Sequence, residues 1–211
     1  AFALKSFPKT PDELKRYKVV VMGNVPTTAL AREGPRNDMK PAAGGRSDQW
    51  LVDYVAQGGG LLVLGGSFSF DLESTTRAGS KGLENTYKDS ALAQILPVEL
   101  AAKGMTVADQ NKPLELTPAT PHTLLKGVDF TPHPMTLFYH PLSTRKEGTV
   151  VLTAGKDGPP ILVLGTFGKG RVAVFLATLH GDPAKESTPY WEWQGWPVLT
   201  RNLIDWLGQQ G

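Results

Sequence analysis

Cysteine is absent from this chain of 211 residues. Its absence excludes disulfide bonds, metal sites built from thiolates and covalent catalysis by a cysteine nucleophile. Three of the four histidines, His122, His133 and His140, lie among prolines without metal-binding spacing or an acidic cluster, so we expect no metal site. We expect no cofactor either, because GTFGKG at 165–170 lacks the Walker spacing and joins two predicted strands.

Long hydrophobic runs and a strong net charge are also missing. No apolar run approaches the roughly 20 residues that span a bilayer, and the N-terminal stretch AFALKSFPKT has no signal-peptide core. Lys plus Arg is 22 against 20 for Asp plus Glu, which gives a net charge of +2. With both signs interspersed, the sequence indicates neither nucleic acid as a partner nor direct insertion of this segment into a membrane.

The length and composition favour one soluble globular domain over residues 1–211. Hydrophobic residues make up 40% of the chain and charged residues 20%, which is typical of a chain that folds around one core. Because the chain begins with Ala1 and not with Met, we expect a piece of a longer protein. The composition does not define a compartment.

The N-terminal half has the order strand, helix, strand. YKVVVMGNVP at 17–26 is an uninterrupted apolar run, typical of a strand buried on both faces. SDQWLVDYVAQGGG at 47–60 has apolar residues at helical spacing, and LLVLGG at 61–66 follows as a second buried strand. This order predicts a right-handed parallel crossover, with the two strands adjacent or nearly so.

The C-terminal half predicts antiparallel strands and a final helix. TVVLTAGK (149–156), PPILVLGTFGKGR (159–171) and RVAVFLATLH (171–180) are strands joined by hairpin turns. DSALAQILPVEL (89–100) predicts a short helix and then an extended segment, and WPVLTRNLIDWLGQQ (196–210) a helix whose apolar stripe docks on the sheet. The expected fold is α/β, with a mixed, mainly parallel sheet between helix layers.

The first candidate site is the glycine-rich turn after the second buried strand, where α/β proteins place ligands and nucleophiles. GGSFS at 65–69 nearly meets the G-x-S-x-G pattern of a nucleophile elbow, but its last glycine is a serine and no clear helix follows. Ser67 is therefore a candidate nucleophile, with Gly65 and Gly66 as candidate ligand-binding residues. The favoured alternative is a plain turn in which Ser67 caps a local backbone group.

The second candidate site is the TLHGDP stretch after the last apolar strand. His180 is a candidate general base there, and Asp182 lies close enough in sequence to orient it. If its strand runs parallel to the strand at 61–66, His180 and Ser67 emerge at the same sheet edge. The alternative is an ordinary surface turn.

An aromatic cluster follows: Tyr190, Trp191, Trp193 and Trp196. Exposed near the strand ends, such rings could stack against a sugar or anchor a partner, so Trp191 and Trp193 are candidate ligand-binding residues. We expect at least one of them to border a common cleft with Ser67 and His180. The alternative is that the rings cover the sheet edge and the final helix.

Several of these stretches in combination resemble a known superfamily. YVAQGGGLLVLGGSFSF, LAQILPVEL, FGKGRVAVFLATLHGDP and the Trp-rich final helix are similar to class I glutamine amidotransferase-like domains. The likeness covers most of residues 7–208 and is strongest to bacterial putative glutamine amidotransferase domains, often attached to membrane proteins of the von Willebrand factor A type. The trehalose-utilisation (ThuA-like) branch is also similar.

The resemblance implies a flavodoxin-like three-layer sandwich with a nucleophilic cysteine on a strand–helix elbow. His180 with Asp182 falls where the family has its catalytic His and Glu, although Gly181 and Pro183 depart from the pattern. The turn at 65–67 falls near the place of the nucleophile or its oxyanion loop. The family fold usually begins with a strand and a helix before YKVVVMGNV; only AFALKSFPK precedes it here, so either the chain is a fragment or the fold is trimmed.

Without a cysteine, hydrolysis of glutamine through a thioester is unavailable, so the resemblance implies a catalytically degenerate domain. Three functions stay open. The first is a module that binds a small molecule, such as a carbohydrate, or a protein partner at the carboxyl ends of the strands. The second is a hydrolase that uses Ser67 and His180 on a carbohydrate-related substrate. The third is a structural domain of a larger envelope-associated protein that is anchored in a bacterial membrane through another part.

Overall fold

The computed structural model describes residues 8, 10–26, 30, 32–33, 40–41, 47–70, 87–100, 113–179 and 187–209. Its centre is an eight-stranded mixed sheet. In spatial order the strands are β1 (Val19–Gly23), β4 (Gly60–Leu64), β11 (Gly170–Phe175), β10 (Pro160–Phe167), β9 (Thr149–Ala154), β6 (Leu114–Pro118), β7 (Pro134–Thr136) and β12 (Thr188–Pro189). Two small antiparallel pairs accompany it: β2 (Arg32–Glu33) with β3 (Lys40–Pro41), and β5 (Val98–Glu99) with β8 (Ser143–Thr144).

Parallel pairing holds one side of the sheet together. The central strand β4 pairs in parallel with β1 on one side and with β11 on the other. The sequence prediction that the first two buried strands lie next to each other is therefore confirmed. The same direction of all three strands brings their carboxyl ends to one edge of the sheet.

The other side of the sheet is antiparallel and curls back on itself. The hairpins predicted from the sequence join β9, β10 and β11, and β6 and β7 continue the antiparallel order. Beyond β7 the chain returns to the carboxyl end of β11, where Tyr139 forms an antiparallel bridge with Ala177. This return is what carries residues near 140 to the parallel side of the sheet.

Helices cover both faces of the sheet, which confirms the expected α/β sandwich. On one face α2 (Ser47–Ala56) packs its buried side chains into a core with β4 and β11, next to the short α1 (Pro11–Leu14). On the other face α3 (Gly195–Leu207) buries Leu199, Leu203 and Leu207. Among the described residues, no helix is long and apolar enough to cross a bilayer.

The helix α3 runs opposite to the parallel strands. Its C-terminal Leu207 lies against Gly60, the first residue of β4, where a Cβ would come within 2.5 Å of the Leu207 carbonyl oxygen. Arg171, at the start of β11, donates from Nη1 to the carbonyl oxygen of Trp206 at 2.7 Å. The beginning of α3 therefore lies toward the carboxyl edge of the sheet.

Two expectations from the sequence need correction. The strand β1 is not buried on both faces: Val21 is 49% exposed, because β1 is the last strand of the sheet on its side and α3 packs over β4 and β11 instead. The predicted helix in DSALAQ is replaced by two 3₁₀ turns, Tyr87–Asp89 and Ala91–Gln94. The Asp48 side chain holds the second turn by accepting a hydrogen bond from the Ala91 backbone N–H at 2.9 Å.

The different burial of the edge strand β1 and the central strand β4 can be tested with a valine-to-alanine substitution in each strand. Val63 in β4 is fully buried, so Val63→Ala should lower the free energy of unfolding by about 2 kcal/mol through lost burial and a cavity. Val21→Ala should cost roughly 0.5 kcal/mol or less. Urea denaturation of both variants compares them, and equal losses would contradict the placement of β1 at the edge.

Candidate functional site

Three chain segments meet at the carboxyl edge of the parallel strands. Asn24 follows β1, the glycine turn 65–67 follows β4, and residues 176–179 follow β11. Open α/β sheets bind ligands at this edge because the loops that leave the strands diverge there. This edge is the candidate site.

The glycine turn is held close to the end of β11, the parallel neighbour of β4. The Gly65 backbone N–H donates to the Phe175 carbonyl oxygen at 2.7 Å. A Cβ on Gly65 would lie 2.4 Å from the Ala177 carbonyl oxygen, and one on Gly66 would lie 2.7 Å from Asn24 Oδ1. Both glycines are therefore required by close approach, which agrees with their role as turn residues.

Asn24 links the end of β1 to the same turn. Its backbone is left-handed, with φ at 55°, a conformation that asparagine tolerates better than most residues. Its Oδ1 accepts a hydrogen bond from the Phe68 backbone N–H at 2.7 Å. The side chain thus fixes the exit of the turn, where Phe68 itself is 46% exposed.

The central side chain of the site is His140. It is 1% exposed, and its Nε2 accepts a hydrogen bond from the Gly66 backbone N–H at 3.3 Å. The returning segment after β7 places it there: the His140 backbone N–H donates to the Leu176 carbonyl oxygen at 2.9 Å. A residue that is 74 positions from Gly66 in sequence is in this way brought to the glycine turn.

Burial lowers the pKa of His140 from 6.5 to about 4. The ring is surrounded by the core, and transfer of a charge out of water disfavours the protonated form. Burial outweighs the backbone contact with Gly66, which by itself raises the pKa of His140. With the ring neutral, Nε2 can accept from the Gly66 N–H, and the ring proton then sits on Nδ1. At neutral pH His140 therefore acts as a neutral acceptor toward the turn.

Aromatic packing completes this face of the site. The Phe70 ring lies edge-on to the His140 ring with centroids 4.8 Å apart, and it contacts Tyr87 at 5.6 Å. Phe70 is fully buried with a left-handed φ of 57°, a conformation that costs about 1 kcal/mol or more and persists only where the surroundings impose it. Burial raises the pKa of Tyr87, whose hydroxyl donates to the Val25 carbonyl oxygen at 2.6 Å.

Ser67 sits at the top of the turn and is half-buried. Its neighbour Ser69 donates from Oγ to the Leu64 carbonyl oxygen at 2.7 Å and so closes the turn on β4. The residues after the turn form bends, and no α-helix starts at Ser67. The elbow of a serine nucleophile, in which a helix follows the serine directly, is therefore not the local geometry.

The predicted base, His180, and its partner Asp182 lie outside the described residues. What the structure does give is the direction of the strands before them. Because β4 and β11 are adjacent and parallel, Ser67 and Leu179 leave the sheet at the same edge. The pairing of Ser67 with His180 stays a prediction.

The aromatic cluster lies on the opposite face of the sheet from His140. Trp193 is 1% exposed, donates from Nε1 to the Asp129 carbonyl oxygen at 2.9 Å, and packs on Phe130. It has no free face for a ligand, so its interpretation as a ligand-binding residue is corrected to that of a core residue. Trp191 is half-buried against Tyr190 and stays a candidate.

The remaining histidines have local structural contacts. His122 accepts from the Leu124 backbone N–H through Nδ1 at 3.2 Å and caps a 3₁₀ turn. His133 pairs with Glu115 at 2.6 Å on the surface of the β6–β7 hairpin. Within the described part of the chain, no group of three His, Asp or Glu side chains could hold a metal ion.

Sequence reasoning missed His140 because it treated the histidines among prolines as one group. The local signal was the apolar run LFYHPL at 137–142, in which a lone histidine is expected to be buried. The sequence could not show its partner, because the contact depends on how the antiparallel side of the sheet curls.

Comparison with known proteins agrees with this architecture. A family described as "Putative glutamine amidotransferase" matches residues 1–209. Two cytoplasmic proteins of Salmonella typhimurium, STM3548 and STM1381, are each 25% identical with a TM-score of 0.76; the match covers 97% and 98% of this chain and 77% and 79% of theirs. A ThuA-like protein of Bacteroides uniformis has a TM-score of 0.54 at 12% identity, over 98% of this chain and 75% of that one, which shows the fold alone. No curated protein matches the sequence.

The buried histidine predicts a pH dependence of stability. With a folded pKa near 4 against 6.5 for an exposed histidine, the unfolded chain binds a proton between these values and the folded protein does not. Stability should therefore fall as the pH decreases from 6.5 to 4, by at most about 3 kcal/mol from this residue. Urea unfolding at several pH values should show this loss in the wild type and not in His140→Gln.

The control for that experiment is His133→Gln, which changes an exposed histidine and should keep the loss caused by His140. Wild type and His140→Gln with the same pH dependence would show that His140 is not held neutral in the folded protein.

The close packing at the turn predicts that an alanine substitution destabilises the protein much more at Gly66 than at Gly23, although both glycines lie at strand ends. Gly66→Ala drives a Cβ into Asn24, so it should break the hydrogen bond to Phe68 and cost about 1–3 kcal/mol. At Gly23 a Cβ would meet nothing closer than 3.7 Å, and Gly23→Ala should change stability by roughly 0.5 kcal/mol or less. Chemical denaturation tests both, and a harmless Gly66→Ala would refute the tight turn.

Proposed function

The chain belongs to the family of putative glutamine amidotransferases, and within that family we propose that it is a ligand-binding domain without glutaminase activity. Its site is the carboxyl edge of β1, β4 and β11, around the glycine turn. The ligand is a small molecule or a segment of a protein partner that contacts the turn.

The chemistry of the chain supports the first half of this proposal. Hydrolysis of glutamine in the family needs a thiolate that forms a thioester, and the 211 residues contain no cysteine. Residues 65–70 form a turn and bends, so Ser67 lacks the strand–helix elbow that exposes and orients a serine nucleophile.

The observation that carries the proposal is the hydrogen bond from Gly66 to His140. In the resemblance, the turn at 65–67 falls near the nucleophile or its oxyanion loop. An oxyanion hole needs backbone N–H groups aimed at the reacting oxygen. Here the Gly66 N–H is directed into the protein, onto a buried imidazole at 3.3 Å. The Gly66 N–H is therefore already engaged and does not point at a reacting oxygen, which speaks against acyl transfer at this turn.

The surroundings of the turn supply surface for a ligand. Phe68 and Leu179 are 46% and 61% exposed, and they follow neighbouring parallel strands. Large apolar side chains left open at the edge where α/β sheets bind ligands are contacts for a ligand with an apolar face. A carbohydrate ring is one such ligand and an apolar peptide segment is another.

A hydrolase that uses Ser67 and His180 is the second candidate. The observation in its favour is that β4 and β11 are parallel neighbours, so both residues follow strands that end at the same edge. Its substrate would be carbohydrate-related, as the sequence analysis suggested.

Two assays on the purified protein distinguish the ligand-binding domain from the hydrolase. We expect no ammonia release from L-glutamine above the enzyme-free blank, with an active glutaminase as positive control. We also expect no labelling of Ser67 by a fluorophosphonate probe, because that reaction needs an activated serine.

Labelling that disappears in both Ser67→Ala and His180→Ala would establish the hydrolase instead. Ammonia release that Ser67→Ala abolishes would overturn the proposed lack of glutaminase activity. Ser90→Ala is a suitable control, because Ser90 is engaged with the Tyr87 carbonyl oxygen at 2.7 Å in a 3₁₀ turn and lies outside the candidate site.

A further inference from the structure

The strand β1 (Val19–Gly23) is an edge of the sheet that nothing in the described part of the chain covers. It is the first strand in the spatial order and pairs there only with β4. At the other end of the sheet, β12 has only two residues and includes Pro189, which protects that edge against further pairing. β1 has no such protection, because VVVMG contains no charged residue or proline and its register with β4 has no bulge.

The backbone of β1 offers hydrogen-bonding groups on its free side. The Gly60 N–H donates to the Lys18 carbonyl oxygen, so the Lys18 carbonyl faces β4. Because the direction of these groups alternates along a strand, every second residue from Val19 onward turns its N–H and C=O away from β4. These residues are Val19, Val21 and Gly23, and their outward groups have no hydrogen-bond partner among the described residues.

One face of β1 is also left open by the helices. Val20 and Met22 pack on the core that contains α2, whereas Val19 packs on the core that contains α3. Since side chains alternate along a strand, Val21 lies on the same face as Val19, and there it is 49% exposed. A further strand at this edge would cover Val21 and satisfy the outward backbone groups together.

β1 is complementary to itself in an antiparallel arrangement. A two-fold axis at Val21, the middle residue, sets Val21 opposite Val21 of a second copy and Val19 opposite Gly23. Each opposed pair consists of outward-facing residues, so each exchanges two backbone hydrogen bonds and no outward group of either strand is left over. Asn24 is left-handed with φ at 55° and ends the strand, so any other register leaves part of β1 unpaired.

The charges next to β1 favour the antiparallel arrangement over a parallel one. Lys15, Arg16 and Lys18 precede the strand and are exposed, whereas residues 24–26 after it are uncharged. In the antiparallel pair the two copies of Lys18 are roughly 20 Å apart, well beyond the Debye length of about 8 Å at physiological salt. A parallel pair would place the two basic stretches side by side.

We propose that this chain forms a symmetric dimer in which two β1 strands pair antiparallel about Val21 and join the two sheets into one. The partner at the free edge is thus a second copy of the chain. One pair of short strands buries less than the roughly 1,200–2,000 Å² of a standard interface, so the dimer is weak and exchanges with the monomer. Urea denaturation of Val21→Ala at low micromolar concentration therefore reports on the monomer.

The first test is sedimentation velocity of the full chain from about 1 µM to about 500 µM. The wild type should shift from monomer to dimer. Val21→Lys should stay monomeric, because it places two ammonium groups opposite each other at the two-fold axis. Val198→Lys is the matched control, since Val198 is an exposed valine of α3 outside β1, and this variant should dimerise like the wild type. Far-UV circular dichroism checks that each variant is folded.

The second test uses the absence of cysteine to measure the register. In Val21→Cys the opposed Cα atoms are about 5.5 Å apart, within the range of about 4.4–6.8 Å that a disulfide spans. In Val19→Cys they are roughly 13 Å apart, too far to be bridged. Under mild oxidation, Val21→Cys should form a disulfide-linked dimer about tenfold faster than Val19→Cys or Val198→Cys, because only its thiols meet within the dimer.

A wild type that is monomeric at the highest concentration would overturn the proposal and leave the edge to a different partner. A dimer that Val21→Lys does not weaken would place the interface elsewhere, and equal cross-linking of Val19→Cys and Val21→Cys would exclude the register; either result also overturns it. If Val21→Lys fails to fold, the cysteine variants decide alone.

Discussion

The hydrogen bond between Gly66 and His140 connects the two halves of this fold. One partner lies at the end of the central parallel strand, and the other arrives on a segment that has crossed the whole antiparallel side of the sheet. Because the imidazole is buried and neutral, this contact holds only while the sheet is curled and the core around Phe70 is closed. The shape of the candidate site therefore depends on long-range folding and not on a local motif.

The parallel core could be predicted from the sequence because its signals are local. Uninterrupted apolar runs identified β1 and β4, and the apolar stripe of α3 indicated which side of that helix packs on the sheet. What could not be predicted was the position of β1 at the edge, since the run VVVMG looks the same whether or not a neighbour covers it. The 3₁₀ turns at 87–94 were also missed; the second of them is held by a hydrogen bond that the Ala91 N–H donates to the distant Asp48 carboxylate.

The candidate site, too, could be predicted from the sequence only in part. The glycine turn and its place at a strand end were visible in the sequence, because paired glycines after a buried strand indicate close approach. His140 was not visible, because it owes its position to the pairing of 138–140 with 176–178, two irregular segments outside the main strands. The Trp-rich segment does pack on the sheet, but the Trp193 ring is buried in the core and not exposed at the surface.

A His140 ring that accepts from Gly66 has one tautomer and one protonation state, and long-range ¹H–¹⁵N NMR of the imidazole nitrogens reports both directly. The spectrum at pH 7 should show a protonated Nδ1 and an unprotonated Nε2, as acceptance from Gly66 requires. The same signals should stay neutral down to pH values near 4. A proton on Nε2 at pH 7, or titration close to 6.5, would contradict the central claim that a buried neutral histidine holds the glycine turn.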